Sequence, residues 1–509
     1  MKTLLALRHA WMHLFAGLTL AALCACGSGT PPPLGSPSVT DDAPVPVARK
    51  LARGGPWFID AEGRVVVIHG TNMINKLPPY TPEALGFGEE DLRFLAENGF
   101  NSIRLGYSWA GVEPRPGEFD NAYIDHIVAL AAAAVRHGML PVVNFHQDGY
   151  AEKYGGNGAP EWASIDYGVP GSPLPSAASV LPGAAVANEN FWMNTAGPDS
   201  VGLQDHFAAA WAHVAERFKG DPHTVFELYN EPSPGFVDVA VCPLPVGCPE
   251  FDIGKLTPFY VKVLQAVRQV DPQRLIFVEP NAFFGLGSAR TWVPAMADQN
   301  VAFAFHNYCA LDLAGLPLPA AACSQITDLT LANAQSHFDV TGEPNLMNEF
   351  GAFNTDDNVA ALLDRADQQM LSWMHWAYWA QDFGEVATYG LINDLNAAPA
   401  GDNIKQGLLR VLTRPSPHVV AGTPLSWAWD EATSHFQASY STARANGSGR
   451  FSAGAVSAFF VHPRFFPNGY QVQLTGGTVV SPATAPWLKI AALPGAMTVS
   501  LSVTAKTAD

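Results

Sequence analysis

Val225-Phe226-Glu227-Leu228-Tyr229-Asn230-Glu231-Pro232-Ser233-Pro234 is a short apolar run that ends in an Asn-Glu pair and then breaks on proline. Asn345-Leu346-Met347-Asn348-Glu349-Phe350-Gly351 has the same plan further along the chain, with Glu again directly after Asn. Runs this short and this apolar read as strands of a parallel sheet buried on both faces. A carboxylate where such a strand spills into its loop loses solvation and gains nothing in packing, so its position points to chemistry.

Similar runs flank these two: Val65–His69, Ser102–Leu105, Leu140–Phe145, Leu275–Val278, Val301–Phe305 and Trp376–Trp379. Amphipathic, helix-like stretches lie between them, such as Glu89–Asn98, Tyr123–His137, Leu203–Phe218, Leu256–Gln269 and Val359–Gln369. Eight strands alternating with helices predict an α/β fold, a (β/α)8 TIM barrel. An open doubly wound sheet fits less well, because the first run leads into His69-Gly-Thr-Asn72 rather than a glycine-rich phosphate loop. The loop from Asp148 to Gly202 is long and rich in glycine, proline and aromatics, the composition of a binding loop. After Arg414-Pro-Ser-Pro-His418 only short β-branched and aromatic runs remain, which predicts a C-terminal β-sandwich. The expected division is a signal segment over 1–25, a linker over 26–50, a barrel over 51–415 and a β-sandwich over 420–509.

The chain carries 28 Lys and Arg against 46 Asp and Glu, a net charge of −18. Such a surface repels nucleic acid and anionic membranes at long range, so no nucleic-acid partner is expected. Lys2 and Arg8 precede an apolar stretch, Phe15 to Leu23, too short to span a bilayer. Leu23-Cys24-Ala25-Cys26 then resembles a bacterial lipoprotein signal, which predicts export, lipidation at Cys26 and anchoring to a bacterial membrane, the outer one by the residues that follow. An ordinary secretory signal is the alternative. Cys242 with Cys248 and Cys309 with Cys323 can oxidise after export, each pair closing one loop. No cysteine or histidine spacing suits a metal, and His146-Gln147-Asp148 has no third ligand at usable spacing, so neither metal nor cofactor is expected.

In a barrel, the C-terminal strand ends converge on one mouth. Those ends are Arg104, His146 with Asp148, Asn230 with Glu231, His306 with Tyr308, Glu349 and Trp379; Glu227 and Glu279 are the competing carboxylates. With Asn-Glu-Pro after the fourth strand and Glu-Phe-Gly after the seventh, the pattern resembles glycoside hydrolase family 5. Asn72-Met-Ile-Asn-Lys76-Leu-Pro-Pro-Tyr80, Trp109-Ala-Gly-Val-Glu-Pro-Arg-Pro-Gly117, Gly158-Ala-Pro-Glu-Trp162 and Phe466-Pro-Asn-Gly-Tyr470 are similar to the endoglycoceramidase branch.

A carboxylate pair is what a retaining glycosidase needs. The resemblance implies Glu349 as nucleophile, Glu231 as acid/base, and Arg104 and Tyr308 as partners of Glu349. It further implies Asn230 on the sugar 2-hydroxyl, His146, Asp148 and Lys76 on ring hydroxyls, His306 in the same site, and Trp379 as the stacking floor. Like-charge repulsion from Glu349 is expected to raise the pKa of Glu231. Trp373, Trp376, Phe283 and Phe284 read as packing, although Phe283-Phe284 could instead join Leu77-Pro-Pro-Tyr80 and Phe191-Trp192 in an apolar trough for a lipid leaving group. The implied substrate is a glycosphingolipid cut between oligosaccharide and ceramide. The rivals are an exo-acting β-glucosidase on glucosylceramide or a steryl glucoside, a family 5 endoglucanase or mannanase, and a glycolipid-binding lipoprotein without turnover.

Overall fold

The computed structural model describes residues 47, 50–169, 182–234, 242, 246–287, 290–309, 320–352, 354–382, 385–387 and 389–506. The expected lipidation site at Cys26, and the linker apart from residues 47 and 50, lie outside them. Among the described residues no helix is long and apolar enough to cross a membrane.

Eight parallel strands close into a barrel: His69–Met73, Ser102–Tyr107, Leu140–Phe145, Val225–Glu227, Ile276–Val278, Val301–Asn307, Asn345–Phe350 and Ser372–Trp379. Helices Glu89–Glu97, Asn121–Arg136, Leu203–Arg217, Thr257–Val270, Ala320–Thr341, Asp356–Gln368 and Gln406–Leu412 return the chain to the bottom of the barrel. Their starts are written locally. Asp120 accepts from Tyr123 N at 3.0 Å, and Thr355 accepts from Asn358 N, so side-chain oxygens satisfy otherwise unpaired helical N–H groups. Between the fifth and sixth strands the described residues hold only the short turn Phe284–Leu286. The long loop after Asp148 contains the turns Glu152–Tyr154 and Glu161–Ala163 and the helix Pro182–Trp192.

Period-two alternation stacks the barrel interior in layers. Leu140, Val142, Val225, Leu275, Phe277, Ala302, Ala304, Leu346 and Met374 form an apolar floor. Continuing the same parity up each strand gives Arg104, Asn144, Glu227, Glu279, His306 and Asn348, a polar layer above that floor.

One expected strand is placed differently. Val65–His69 was to open the barrel, but the first barrel strand is His69–Met73, and Val65–Val66 pairs antiparallel with Ser416–Val420. The sheet there runs Ala52–Gly54, Trp57–Ile59, Val65–Val66, Ser416–Val420, Val456–Phe460, Trp487–Ala492, Gly477–Val479. It packs on a second sheet of Thr423–Asp430, His435–Ser441, Thr498–Ala505 and Tyr470–Thr475. The sandwich therefore takes three strands from residues 52–66. Alternation explains the misreading: Val65 and Val67 enter the sandwich core, while Val66 and Ile68 enter the barrel floor. Phe58 and Ile59 divide in the same way, Phe58 meeting Phe277 edge-on at 5.5 Å. A segment buried on both faces is continuously apolar, which is the signature of a parallel strand.

Candidate active site

Arg104 rises from the second strand, fully buried, and organises the polar layer. Its Nε donates to Glu227 Oε2 at 2.9 Å, Nη1 to Asn72 Oδ1 at 2.9 Å and to Glu349 Oε1, and Nη2 to Asn230 Oδ1 at 2.7 Å. A buried guanidinium with this many carboxylate partners stays charged, and Glu227, Glu349 and Glu279 outweigh the burial that opposes it. Tyr308 Oη donates to Glu349 Oε2 at 2.8 Å, so both oxygens of Glu349 hold a donor. Burial first, then Glu349 and Glu231, raise Tyr308, which keeps its proton.

Glu349 and Asn348 are adjacent and would face opposite sides of a regular strand. The register slips between Met347, opposite Phe305, and Glu349, opposite His306, so Asn348 is an extra residue. This bulge turns both side chains inward. Asn348 Nδ2 reaches Glu227 Oε2 at 2.9 Å and Glu279 Oε1 at 2.6 Å.

Glu231 sits past the end of the fourth strand with φ of 44°, a left-handed backbone that a non-glycine residue holds only when its surroundings impose it. Its N–H donates to Glu279 Oε2 at 2.8 Å, and Gln147 Nε2 donates to the carbonyls of Asn230 and Glu231 at 2.8 and 2.9 Å. Trp192 Nε1 fixes the next turn through the Ser233 carbonyl at 2.7 Å. His306 Nδ1 lies 2.7 Å from Glu231 Oε1 and 3.4 Å from Glu349 Oε2, and its Nε2 lies 3.0 Å from Glu279 Oε1. One oxygen of Glu231, one of Glu349 and a ring nitrogen of His306 all lie within 4.8 Å of one another.

Burial leads in raising the pKa of Glu231, with Glu349 and Asp148 adding to it and His306 opposing; repulsion from Glu349 is thus the lesser cause, not the leading one expected. A third of the Glu231 side chain, 33%, remains open to the mouth. Burial would lower His306, but Glu279 and Glu349 and the hydrogen bonds to Glu231 and Glu279 carry it well above the ordinary imidazole range. Lys76 Nζ lies 3.0 Å from Asp148 Oδ2, which also accepts from Asn157 Nδ2 at 2.8 Å and lies 3.3 Å from His146 Nε2. Lys76 and His146 hold the Asp148 carboxyl well below its usual range against the effect of burial.

The model described as Cellulase (glycosyl hydrolase family 5) matches residues 59–382, and that of the Glycoside hydrolase family 5 C-terminal domain matches residues 414–502. The chain belongs to glycoside hydrolase family 5. It is 31% identical to Endoglycoceramidase I of Rhodococcus hoagii (strain 103S) over 445 residues, 85% of this chain and 83% of that one. Among solved structures it is similar to Endo-glycoceramidase II from Rhodococcus sp. in its ganglioside GM3 complex (TM-score 0.73, 25% identity) and as its lactosyl-enzyme intermediate (TM-score 0.70, 25% identity), each over 91% of this chain and 100% of that one. These likenesses place the chain in the endoglycoceramidase branch of the family, and it is a glycoside hydrolase.

Within this family 5 site the structure gathers Lys76, Arg104, His146, Asp148, Asn230, Glu231, His306, Tyr308 and Glu349. Trp379 is not among them. It belongs to the large apolar core around the barrel, and the indole over the site belongs to Trp376, expected only to pack. Trp376 stacks on His146 with ring centroids 5.4 Å apart and lies 4.8 Å beneath Lys76 Nζ. The cause is another register slip: His375 pairs with Thr71 and Trp379 with Met73, so the eighth strand spends four residues where the first spends two. Parity was the available signal, because Met374 lies in the floor and Trp376 is next on that face. The trough is also corrected. Phe191, Trp192 and Phe284 are core residues, Phe191 and Trp192 packing on Tyr229 and Phe259, whereas Leu77-Pro78-Pro79 is exposed beside Lys76. Gln147, Asn348 and Glu279 support the segments that carry Glu231 and Glu349; of these only Glu279 was singled out from sequence, as a competing carboxylate. Cys242–Cys248 and Cys309–Cys323 are disulfide-bonded, the second directly after Tyr308.

Proposed function

We propose that this family 5 hydrolase cleaves the β-glycosidic bond between oligosaccharide and ceramide in glycosphingolipids, with retention of configuration. The observation that carries this reading is the pair Glu231 and Glu349, with carboxylate oxygens within 4.8 Å. Retaining enzymes place their two carboxyl groups ~5–5.5 Å apart, leaving no room for a water to attack from the far side. The similarity to endoglycoceramidases over most of both chains supports the lipid substrate.

Glu349 attacks the anomeric carbon as the bond to the ceramide oxygen breaks, and that oxygen takes the proton of Glu231. The raised pKa of Glu231 keeps the proton in place until it is needed. Water then gives its proton to Glu231 and attacks the same carbon, which releases Glu349. Asn230 Nδ2 gives one hydrogen to the Gln147 carbonyl, and its second serves the sugar 2-hydroxyl. Lys76, Asp148 and His146 meet ring hydroxyls above Trp376, which forms the floor of the subsite. Leu77-Pro78-Pro79 offers apolar surface to the leaving lipid.

A mixed panel of neutral glycosphingolipids, analysed by mass spectrometry, should yield intact oligosaccharides and free ceramide. Glu349→Gln should fold normally and lose about 10⁴-fold or more in kcat, because the amide cannot form the ester. Free monosaccharide preceding any oligosaccharide, or full activity in that variant, would overturn the reading. We also propose export and anchoring through a diacylated Cys26, supported by Leu23-Cys24-Ala25-Cys26. Cys26→Ser should release the protein from detergent-phase partitioning, and wild type in the aqueous phase would refute the anchor.

A further inference from the structure

Glu279 is joined to Glu231 through its backbone N–H and to Glu349 through His306 and Arg104. Its Oε2 accepts from Glu231 N at 2.8 Å; its Oε1 lies 3.0 Å from His306 Nε2, accepts from Asn348 Nδ2 at 2.6 Å and lies 3.4 Å from Arg104 Nη2. It is buried, and Tyr260 Oη bonds its carbonyl at 2.8 Å. A carboxylate this deep persists only when its charge is matched.

We propose that Glu279 is a positioning residue that keeps His306 as an imidazolium, so that one positive charge serves whichever catalytic carboxylate is ionised. The inference rests on Glu231 being the acid/base and Glu349 the nucleophile.

The negative charge of the catalytic pair passes between two neighbours of His306. Before reaction the cations are Arg104 and His306, and the anions are Glu279 and Glu349. Glu231 carries its proton, and Glu227, raised by burial, opposed by Arg104 and raised further by Glu279, keeps the same partners throughout. Once Glu349 is esterified it is neutral, and Glu231, having given its proton to the leaving oxygen, is the anion. The catalytic pair carries one negative charge in both states. His306 Nδ1 stands between the two carboxylates, 2.7 Å from Glu231 and 3.4 Å from Glu349, so it need not move as the negative charge passes from one to the other. A site that keeps its charge constant and its dipoles fixed avoids reorganisation at the moment of reaction. His306 and Arg104 bring Glu279 below its ordinary range despite burial, in accord with a permanent anion.

The groups facing His306 are Glu231, Glu279, Glu349 and the protonated Tyr308, whose ring lies edge-on at 6.0 Å. Those facing Glu279 are His306, Arg104, Asn348 and Glu227.

Glu279→Gln keeps the volume and an acceptor for the Glu231 N–H but removes the charge. His306 then becomes neutral, Glu231 loses the cation that opposed its raised pKa, and it holds its proton to higher pH. The expected result is a fall in kcat/KM of about 10²-fold, carried by kcat, with the basic limb of the profile moving up by about one pH unit. Glu279→Asp should restore the position of the limb even where the rate stays low. A merely structural role would lower the rate and leave the limb in place. An unmoved limb, or one that moves down, overturns the inference. If Glu279→Gln does not fold, 15N NMR of histidine-labelled wild type reads the ring directly, His306 being assigned by its loss in His306→Gln. A neutral ring at pH ~7 would overturn the inference. Failure here leaves the roles of Glu231 and Glu349 standing, because those are judged on their own variants and on the products.

Discussion

At the scale of residues, the site separates two carboxylates of the same type by their surroundings. Glu349 has a donor on each oxygen, whereas Glu231 is partly desolvated, faces a second carboxylate and leans on His306. The acid therefore works below its raised pKa and fails as pH climbs through it, so kcat/KM should show a basic limb above the usual carboxylate range. Glu231→Ala should abolish that limb. It should also slow natural glycolipids by about 10²–10⁴-fold while sparing aryl glycosides with good leaving groups, which need little protonation. Steady-state kinetics on both substrate types decide the matter, and equal losses would assign Glu231 a structural role.

At the scale of elements, the hairpin of Trp57–Ile59 with Val65–Val66 serves two cores at once, and Phe58 is its plug in the barrel floor. Phe58→Ala should cost about 3–5 kcal/mol in urea unfolding, with barrel and sandwich melting together; a loss below about 1 kcal/mol would mean that the floor closes without it. This segment also shows where sequence reading stops. The barrel was legible because Val142, Phe277 and Ala304 sit in runs bounded by helical patterns. Val65 to Ile68 was misassigned because a strand shared between two cores and a strand buried in one sheet have the same composition. The site divides along similar lines. Glu231, Glu349 and most of their partners lie at strand ends, where motif and topology agree. Trp376 and Asn348 depend on bulges, which shift register by residues that no periodicity marks. Glu279 was visible as a strand-end carboxylate, but its task depends on distances to residues of four other strands.

At the scale of the whole molecule, the fold buries histidines that carry no charge: His69 and His418 against the sandwich sheet, and His375 in the barrel beside Phe350. Burial lowers His69, His375 and His418 from 6.5 to about 3, with neighbouring cations adding to the effect. Above pH 6.5 folded and unfolded chains both hold them neutral. As pH falls from there towards 3, only the unfolded chain takes up the protons, and stability is lost. The melting temperature should drop steeply in that window, and His375→Leu should relieve about 1.4 kcal/mol per pH unit of the slope. An unchanged slope would mean that His375 protonates in place. The proposed sugar subsite lies above Trp376, where Lys76 and His146 meet its ring. Whether chemistry there is what the paired carboxylates imply is tested most directly by 1H NMR of lactosylceramide in the first moments of hydrolysis. Retention predicts intact lactose, released as the β-anomer before mutarotation, with free ceramide. α-Lactose as the first product, or glucose or galactose ahead of lactose, would contradict it.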